Sequence, residues 1–196
     1  MSATQGRPKS FDENEALALA MHYFWEHGYE NTSLDNLLPV MGIKKSSFYH
    51  TFKSKEELFS RTLELYGEII LEHFEALRLK VGPKAAILSL SDTLLQELKE
   101  SGKIKGCLLM NSSKECYNRY SALSQQIKAE FAFFLEIHEK FIKEAQEQGE
   151  ISKQKDAKKL AGRYLSTFNG LIITIQAGAS QELIDDITLS LRELLE

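Results

Sequence analysis

The stretch from Thr32 to Leu58, TSLDNLLPVMGIKKSSFYHTFKSKEEL, constrains this chain more than any other. It reads as two short helices joined by a tight turn, followed by the start of a longer helix. Ser33 can cap the first helix, and Leu34, Leu37 and Leu38 give it one apolar face. Gly42 supplies the turn, because glycine accepts a left-handed backbone without steric cost. Lys44 to Phe52 forms the second helix, with Phe48 and Phe52 four apart on its back and Lys45, Ser46, Tyr49 and His50 directed elsewhere. A helix, a glycine turn, and a helix with an apolar back and a polar, basic front make the pattern of a helix-turn-helix. Pro39 departs from an ideal first helix. It deletes a backbone donor and crowds the carbonyl of Asp35, so the helix is expected to kink or to end near Leu38.

The run from Gly42 to Leu58, with its Phe-Tyr-His-x-Phe followed by Lys-Ser-Lys-Glu-Glu-Leu, resembles the recognition helix and following helix start of TetR-type transcriptional repressors. The resemblance is strong from about Phe11 to Leu65; beyond that only helix pattern and length agree. It implies an all-α fold, with a three-helix DNA-binding domain over residues 1–60 and a helical effector-binding and dimerisation domain over 61–196. The boundary falls inside the fourth helix. By the same resemblance Lys45, Ser46, Tyr49 and His50 face the groove, Ser47 and Tyr49 meet phosphates, and Thr32 and Ser33 occupy the place of a phosphate-donating hydroxyl, although such hydroxyls also serve as plain caps.

The chemistry of these residues agrees with that assignment. Lys44 and Lys45 offer ammonium groups to phosphates or guanine edges, and the short serines allow close approach to the groove. Lys55 stands at the N-terminus of the fourth helix, beside backbone N–H groups that suit a phosphate. His50 also fits an ordinary surface histidine.

Charge placement supports this more than charge total. The chain of 196 residues carries a formal net charge of −4, which taken alone argues against a nucleic-acid partner. Within residues 1–60, however, the cations are Arg7, Lys9, Lys44, Lys45, Lys53 and Lys55, and none lies between Ser10 and Ile43. They gather on an N-terminal arm and around the second helix of the motif, a local cationic footprint on an acidic body. Arg7 or Lys9 would reach a phosphate or the minor groove, as N-terminal arms do elsewhere.

The rest of the chain reads as helix after helix. Asp12 caps a first helix, Phe11 to His27, whose Leu17, Ala20, Met21, Phe24 and Trp25 form a core stripe. A long helix starts at Ser54, with Glu57 completing a capping box, and runs to about Lys80, where Gly82-Pro83 stops it. Further helices are expected over Lys84–Ser101, from about Cys107, over Ala122–Gln148, over Lys155–Ala177 and over Gln181–Leu195. The last two carry more apolar surface than a chain of this size hides alone, and the resemblance implies a homodimer built through them. It also implies an effector cavity among helices four to eight, where Phe74, Cys107, Met110, Phe131, Phe134, His138, Phe168 and Asn169 suggest a mostly apolar ligand with a few polar contacts.

Enzyme chemistry has no foothold. There is no phosphate-cradling glycine loop, no Cys-x-x-Cys and no nucleophile motif, and the histidines are scattered, so no cofactor or metal is expected. No apolar run approaches the ~18 residues of a membrane span, and the N-terminus lacks a signal core, so a cytoplasmic location is expected. Cys107 follows Lys103, Lys105 and Gly106, a setting that could lower its pKa toward a thiolate. Some members of the resembled family sense oxidants or electrophiles through a comparable cysteine. The expected function is a DNA-binding regulator, a repressor released from a palindromic operator by a small molecule. The alternative is a helical protein-interaction module that does not read DNA, for which the acidic total is the main support.

Overall fold

Asp12 starts the first helix. Its carboxylate accepts from the backbone N–H groups of Asn14 and Glu15, at 2.8 and 3.1 Å, and the capped helix α1 runs Glu13–His27. In the computed structural model, which describes residues 11–196, every regular element among the described residues is a helix. The order continues with α2 (Leu34–Met41), α3 (Lys45–Phe52), α4 (Lys55–Val81), α5 (Pro83–Ser101), α6 (Leu108–Cys116), α7 (Ser121–Glu147), α8 (Ala157–Gln176) and α9 (Gln181–Leu194). Arg7 and Lys9 of the expected arm lie outside the described residues.

The chain divides into two compact units, the first ending at Leu65 and the second being Tyr66–Glu196. In the first unit, Leu17, Ala20, Met21 and Phe24 of α1 are buried, while Trp25 is only half-buried. Phe24 and Tyr29 both pack on Phe59, with ring centroids 4.8 and 4.7 Å apart. Leu37, Met41, Phe48 and Phe52 complete this core. Arg61 lies over the Phe52 ring and pairs with Glu13 at 2.7 Å, which ties α4 to α1.

Of the two outcomes expected at Pro39, a kink or an end near Leu38, the early end does not occur. α2 continues through the proline to Met41 and stops on Gly42. Both Pro39 and Asp35 are exposed, a setting in which water can replace the donor that the Asp35 carbonyl loses. The proline cost is met where it is smallest.

A large core of the second unit is drawn from α4, α5, α7, α8 and α9. It includes Phe74, Ile87, Leu94, Phe141, Tyr164, Leu171 and Leu191. Gly82, at φ 92°, breaks the chain between α4 and α5, and Pro83 opens α5 at a position where its missing N–H costs nothing. Tyr164 is fully buried, and its hydroxyl donates to the carbonyl of Ile87 at 2.9 Å, joining α8 to α5. Arg78 of α4 bridges Glu75 and Glu144 at 2.7 and 2.9 Å, and Lys140 also reaches Glu75. On α9, Ile184, Thr188 and Leu191 turn inward, whereas Leu183 and Leu189 remain exposed.

Candidate functional site

The presentation of α3 follows from the turn that precedes it. Gly42 is left-handed at φ 65° and ψ 26°, and its N–H closes on the carbonyls of Leu38 and Pro39. A Cβ here would meet nothing within 4 Å, so backbone conformation alone demands the glycine. Ile43 is buried just after it and fixes the entry to α3. Phe48 and Phe52 are fully buried, which sets the rotation of the helix and leaves Lys45, Ser46, Tyr49 and His50 exposed together. Tyr49 stands edge-on to Phe48 at 5.5 Å, held upright by its neighbour while about half of it meets solvent. Lys44 is exposed at the N-cap and Ser47 is half-buried. No acidic residue occurs between Asp35 and Glu56, so the segment that presents these side chains carries only positive charge.

Thr32, Ser33 and Lys55 sit differently from the α3 set. Thr32 is 1% exposed, and its hydroxyl donates to the carbonyl of Gly28 at 2.6 Å. Ser33 and Asn36 form a reciprocal capping box at the start of α2. The Lys55 ammonium donates to the carbonyls of Tyr29 and Thr32, at 2.9 and 2.8 Å, and lies over the Tyr29 ring at 4.2 Å. These three side chains therefore shape the loop between α1 and α2 and the start of α2.

From sequence Lys53 figured only among the cations of the footprint, not as a site residue. It is exposed with φ 61° and ψ −53°, and the N–H of Ser54 closes on the carbonyl of Phe52 at 2.6 Å. This is a γ-turn of the rare, strained kind. It reverses the chain within one residue and leaves a lysine at the end of α3. No sequence signal marks a lysine for that conformation.

In the second unit several of the expected effector residues form a chain of contacts. The Tyr66 hydroxyl donates to Cys107 Sγ at 3.6 Å, and the Tyr66 ring lies 6.5 Å from Phe134. The Phe134 carbonyl is 2.8 Å from His138 Nδ1, and the imidazole packs against Phe74 and Tyr164. Phe74, Phe134, His138 and Phe168 are buried; Cys107, Met110, Phe131 and Asn169 are half-buried. Tyr66 and Tyr164 also belong to this group. Nearby lysines do not lower the Cys107 thiol, as the sequence had suggested. Burial pushes its pKa up, and Lys103 is exposed. An open groove of about 600 Å³ lies elsewhere, between α8 and α9, lined by Lys155, Lys159, Arg163, Thr167 and Glu193 among others. It includes none of the expected effector residues.

Two family models match this chain. Residues 16–62 match the model for bacterial regulatory proteins of the tetR family, and residues 83–190 match a tetracycline repressor-like C-terminal domain. The chain belongs to the tetR family of bacterial regulatory proteins. It is a DNA-binding transcriptional regulator with the family's two-part helical fold. Over 182 residues it is 30% identical to the HTH-type transcriptional repressor ComR of Escherichia coli K12, covering 91% of this chain and 86% of that one. The fold is similar to that of the regulatory protein TetR from Rhodobacter sphaeroides, with a TM-score of 0.80 and 19% identity over 93% of this chain and 98% of that chain. It is also similar to a cysteine mutant of the TetR-family regulator CifR complexed with a 26-bp operator, with a TM-score of 0.77 and 26% identity over 95% and 98% of the two chains. Among the described residues no helix of this TetR-family regulator is long and apolar enough to cross a membrane.

Proposed function

We propose that this regulator is a homodimeric repressor, that its two α3 helices enter successive major grooves of a palindromic operator, and that a small molecule bound in the C-terminal unit lowers operator affinity. One observation carries the reading. α3 turns Phe48 and Phe52 fully inward and exposes Lys45, Ser46, Tyr49 and His50 on a helix that carries no acid. A surface of that chemistry on a helix after a glycine turn is a groove reader. Lys45 and Lys44 address phosphates or guanine edges, Ser46 and His50 base edges, and Ser47 and Tyr49 the backbone. Thr32, Ser33 and Lys55 act on DNA through the loop and helix start that they hold in place. Lys53 joins the set as a phosphate contact.

The reading head is residues 1–60, and effector binding and pairing belong to 61–196. The twofold contact uses α8 and α9, on which Ile173, Leu183 and Leu189 are exposed at 50%, 46% and 55%. Exposed aliphatic residues of that size on the last two helices suit a four-helix contact between copies. The effector acts by binding the state that does not fit the operator better than the state that does. ComR is itself named a repressor and the CifR mutant is complexed with its operator, which favours repression and operator binding here. No catalysis enters this reading, and a cytoplasmic location goes with it.

Selection from a random double-stranded pool tests it. The purified chain should retain a pseudo-palindromic sequence with half-sites about one helical turn apart or slightly more. Affinity for that sequence should fall with salt at a log–log slope of roughly −0.9 per phosphate neutralised, and Lys45→Ala should flatten the slope by about 1. If no sequence is enriched, or if Lys45→Ala and Tyr49→Ala bind as the parent does, the α3 surface is not the reader.

A further inference from the structure

His138 is the one buried side chain among the described residues with a polar atom that finds no hydrogen-bond partner. It is 1% exposed, and Nε2 is the atom left over. The tautomer follows from the other ring nitrogen. Nδ1 lies 2.8 Å from the Phe134 carbonyl, one turn back on α7. A carbonyl only accepts, so Nδ1 carries the proton and Nε2 presents a bare lone pair. Burial also keeps the ring neutral, lowering its pKa to about 4.

The surroundings of this lone pair are aromatic and uncharged. Phe74 of α4 meets the imidazole edge-on with centroids 5.2 Å apart, and Tyr164 of α8 lies tilted at 5.8 Å. The Tyr164 hydroxyl, the nearest candidate donor among these rings, is committed to the carbonyl of Ile87. Three helices of one unit thus converge on an acceptor that none of them satisfies. Buried acceptors are normally paired, and an exception calls for a reason.

We propose that His138 Nε2 is the polar anchor of the effector, and that the effector is an uncharged, predominantly apolar molecule bearing a hydroxyl that donates to it. The inference rests on the reading of the C-terminal unit as effector-binding and adds the chemical class of the ligand. An ionised carboxylate is excluded from this position, since it has no proton to give, and any anionic group would set a charge among Phe74, Tyr164 and a neutral imidazole. A hydrocarbon would fill space but leave Nε2 unpaired. A hydroxyl supplies the missing proton, and the aromatic rings supply the apolar wall.

Phenol and toluene make the test, because they have nearly the same shape and differ in the donor. Apolar burial alone favours toluene; a hydrogen bond to Nε2 favours phenol, so the order of affinity decides. Calorimetric titration of the full chain should show phenol binding about tenfold more tightly than toluene. The ¹⁵N resonance of His138 Nε2 should move with phenol and stay with toluene, a readout that needs no variant. His138→Phe should reverse the order. Toluene binding as well as or better than phenol with Nε2 unmoved would overturn the anchor while leaving an apolar effector site intact. A resonance already at the hydrogen-bonded position before any probe is added identifies an internal water as the donor and overturns it too, as does binding of neither probe. The effector reading itself is decided separately, by whether any compound in a diverse collection releases the chain from its selected DNA.

Discussion

Acid should destabilise the C-terminal unit through His138 well before the carboxylates titrate. The fold buries the neutral imidazole and lowers its pKa from 6.5 to about 4, with desolvation as the main cause and the Phe134 carbonyl opposing it. Above pH 6.5 neither the folded nor the unfolded chain holds the extra proton, and the full stability is present. Below 6.5 the unfolded chain takes the proton while the folded chain refuses it, so stability falls with pH until the folded pKa is reached. Each pH unit in this window is worth about 1.4 kcal/mol, which gives roughly 2 kcal/mol lost by pH 5 and about 3 kcal/mol by pH 4. Against a typical domain stability of roughly 5–15 kcal/mol this is a large share. Glu75 and Asp156, whose pKa values are held down by Lys140 and Arg78 and by the α8 N-terminal N–H of Lys159, add their own acid sensitivity only below about 4.5. The window between pH 6.5 and 5 therefore isolates the imidazole. Trp25, the single tryptophan, lies in the first unit, so its fluorescence would report the wrong core. Hydrogen exchange of α7 and α8 amides, followed from pH 7 to 5 in the parent and in His138→Phe, reads the right one. The parent should lose about 2 kcal/mol of protection free energy relative to the variant; parallel pH profiles would refute the argument.

Three further changes test other parts of the molecule. Gly42→Ala forces a side chain into a left-handed turn that has room for it but not the backbone preference, and thermal unfolding should show a loss of about 1 kcal/mol with weakened operator binding. Lys55→Met keeps the stem over Tyr29 and removes both hydrogen bonds to the loop carbonyls; stability of the first unit should fall by about 1–3 kcal/mol, and the slope of operator affinity against salt should change little, since the ammonium is engaged with Tyr29 and Thr32 rather than with phosphate. Leu189→Glu places a charge at an exposed aliphatic position of α9, and sedimentation should show a shift from dimer to monomer, whereas an unchanged mass would move the twofold contact elsewhere.

What the sequence made legible is what rests on local chemistry. The helix starts at Asp12, Ser33 and Ser54, the turn at Gly42 and the stop at Gly82 depend on one side chain or one backbone conformation each, and they could be read residue by residue. The α3 rotation was also legible, because Phe48 and Phe52 leave no other way to face the core. Whether Pro39 would end its helix was not legible, because the cost depends on whether the deprived carbonyl meets water or protein, and that is a tertiary fact. The same limit hid the γ-turn at Lys53, a conformation of which the residue type gives no hint.

Thr32 and Lys55 show the limit of reading roles from residue type at the site itself. A hydroxyl and an ammonium near a helix-turn-helix look like phosphate donors, yet here the Thr32 hydroxyl points into Gly28 and the Lys55 ammonium is shared between two carbonyls. A proton donated to the loop is not available to DNA in the same geometry. We propose that their influence on affinity passes mainly through the position of α2, whose capped start they border, and that it appears as a loss common to all sequences rather than as a change in preference. Substitutions on α3 should do the opposite and alter which bases are chosen. Comparing enriched sequences for Lys55→Met and for His50→Ala separates the two: if the former changes the preferred bases, the ammonium reaches the duplex after all and the loop clamp does not persist in the complex.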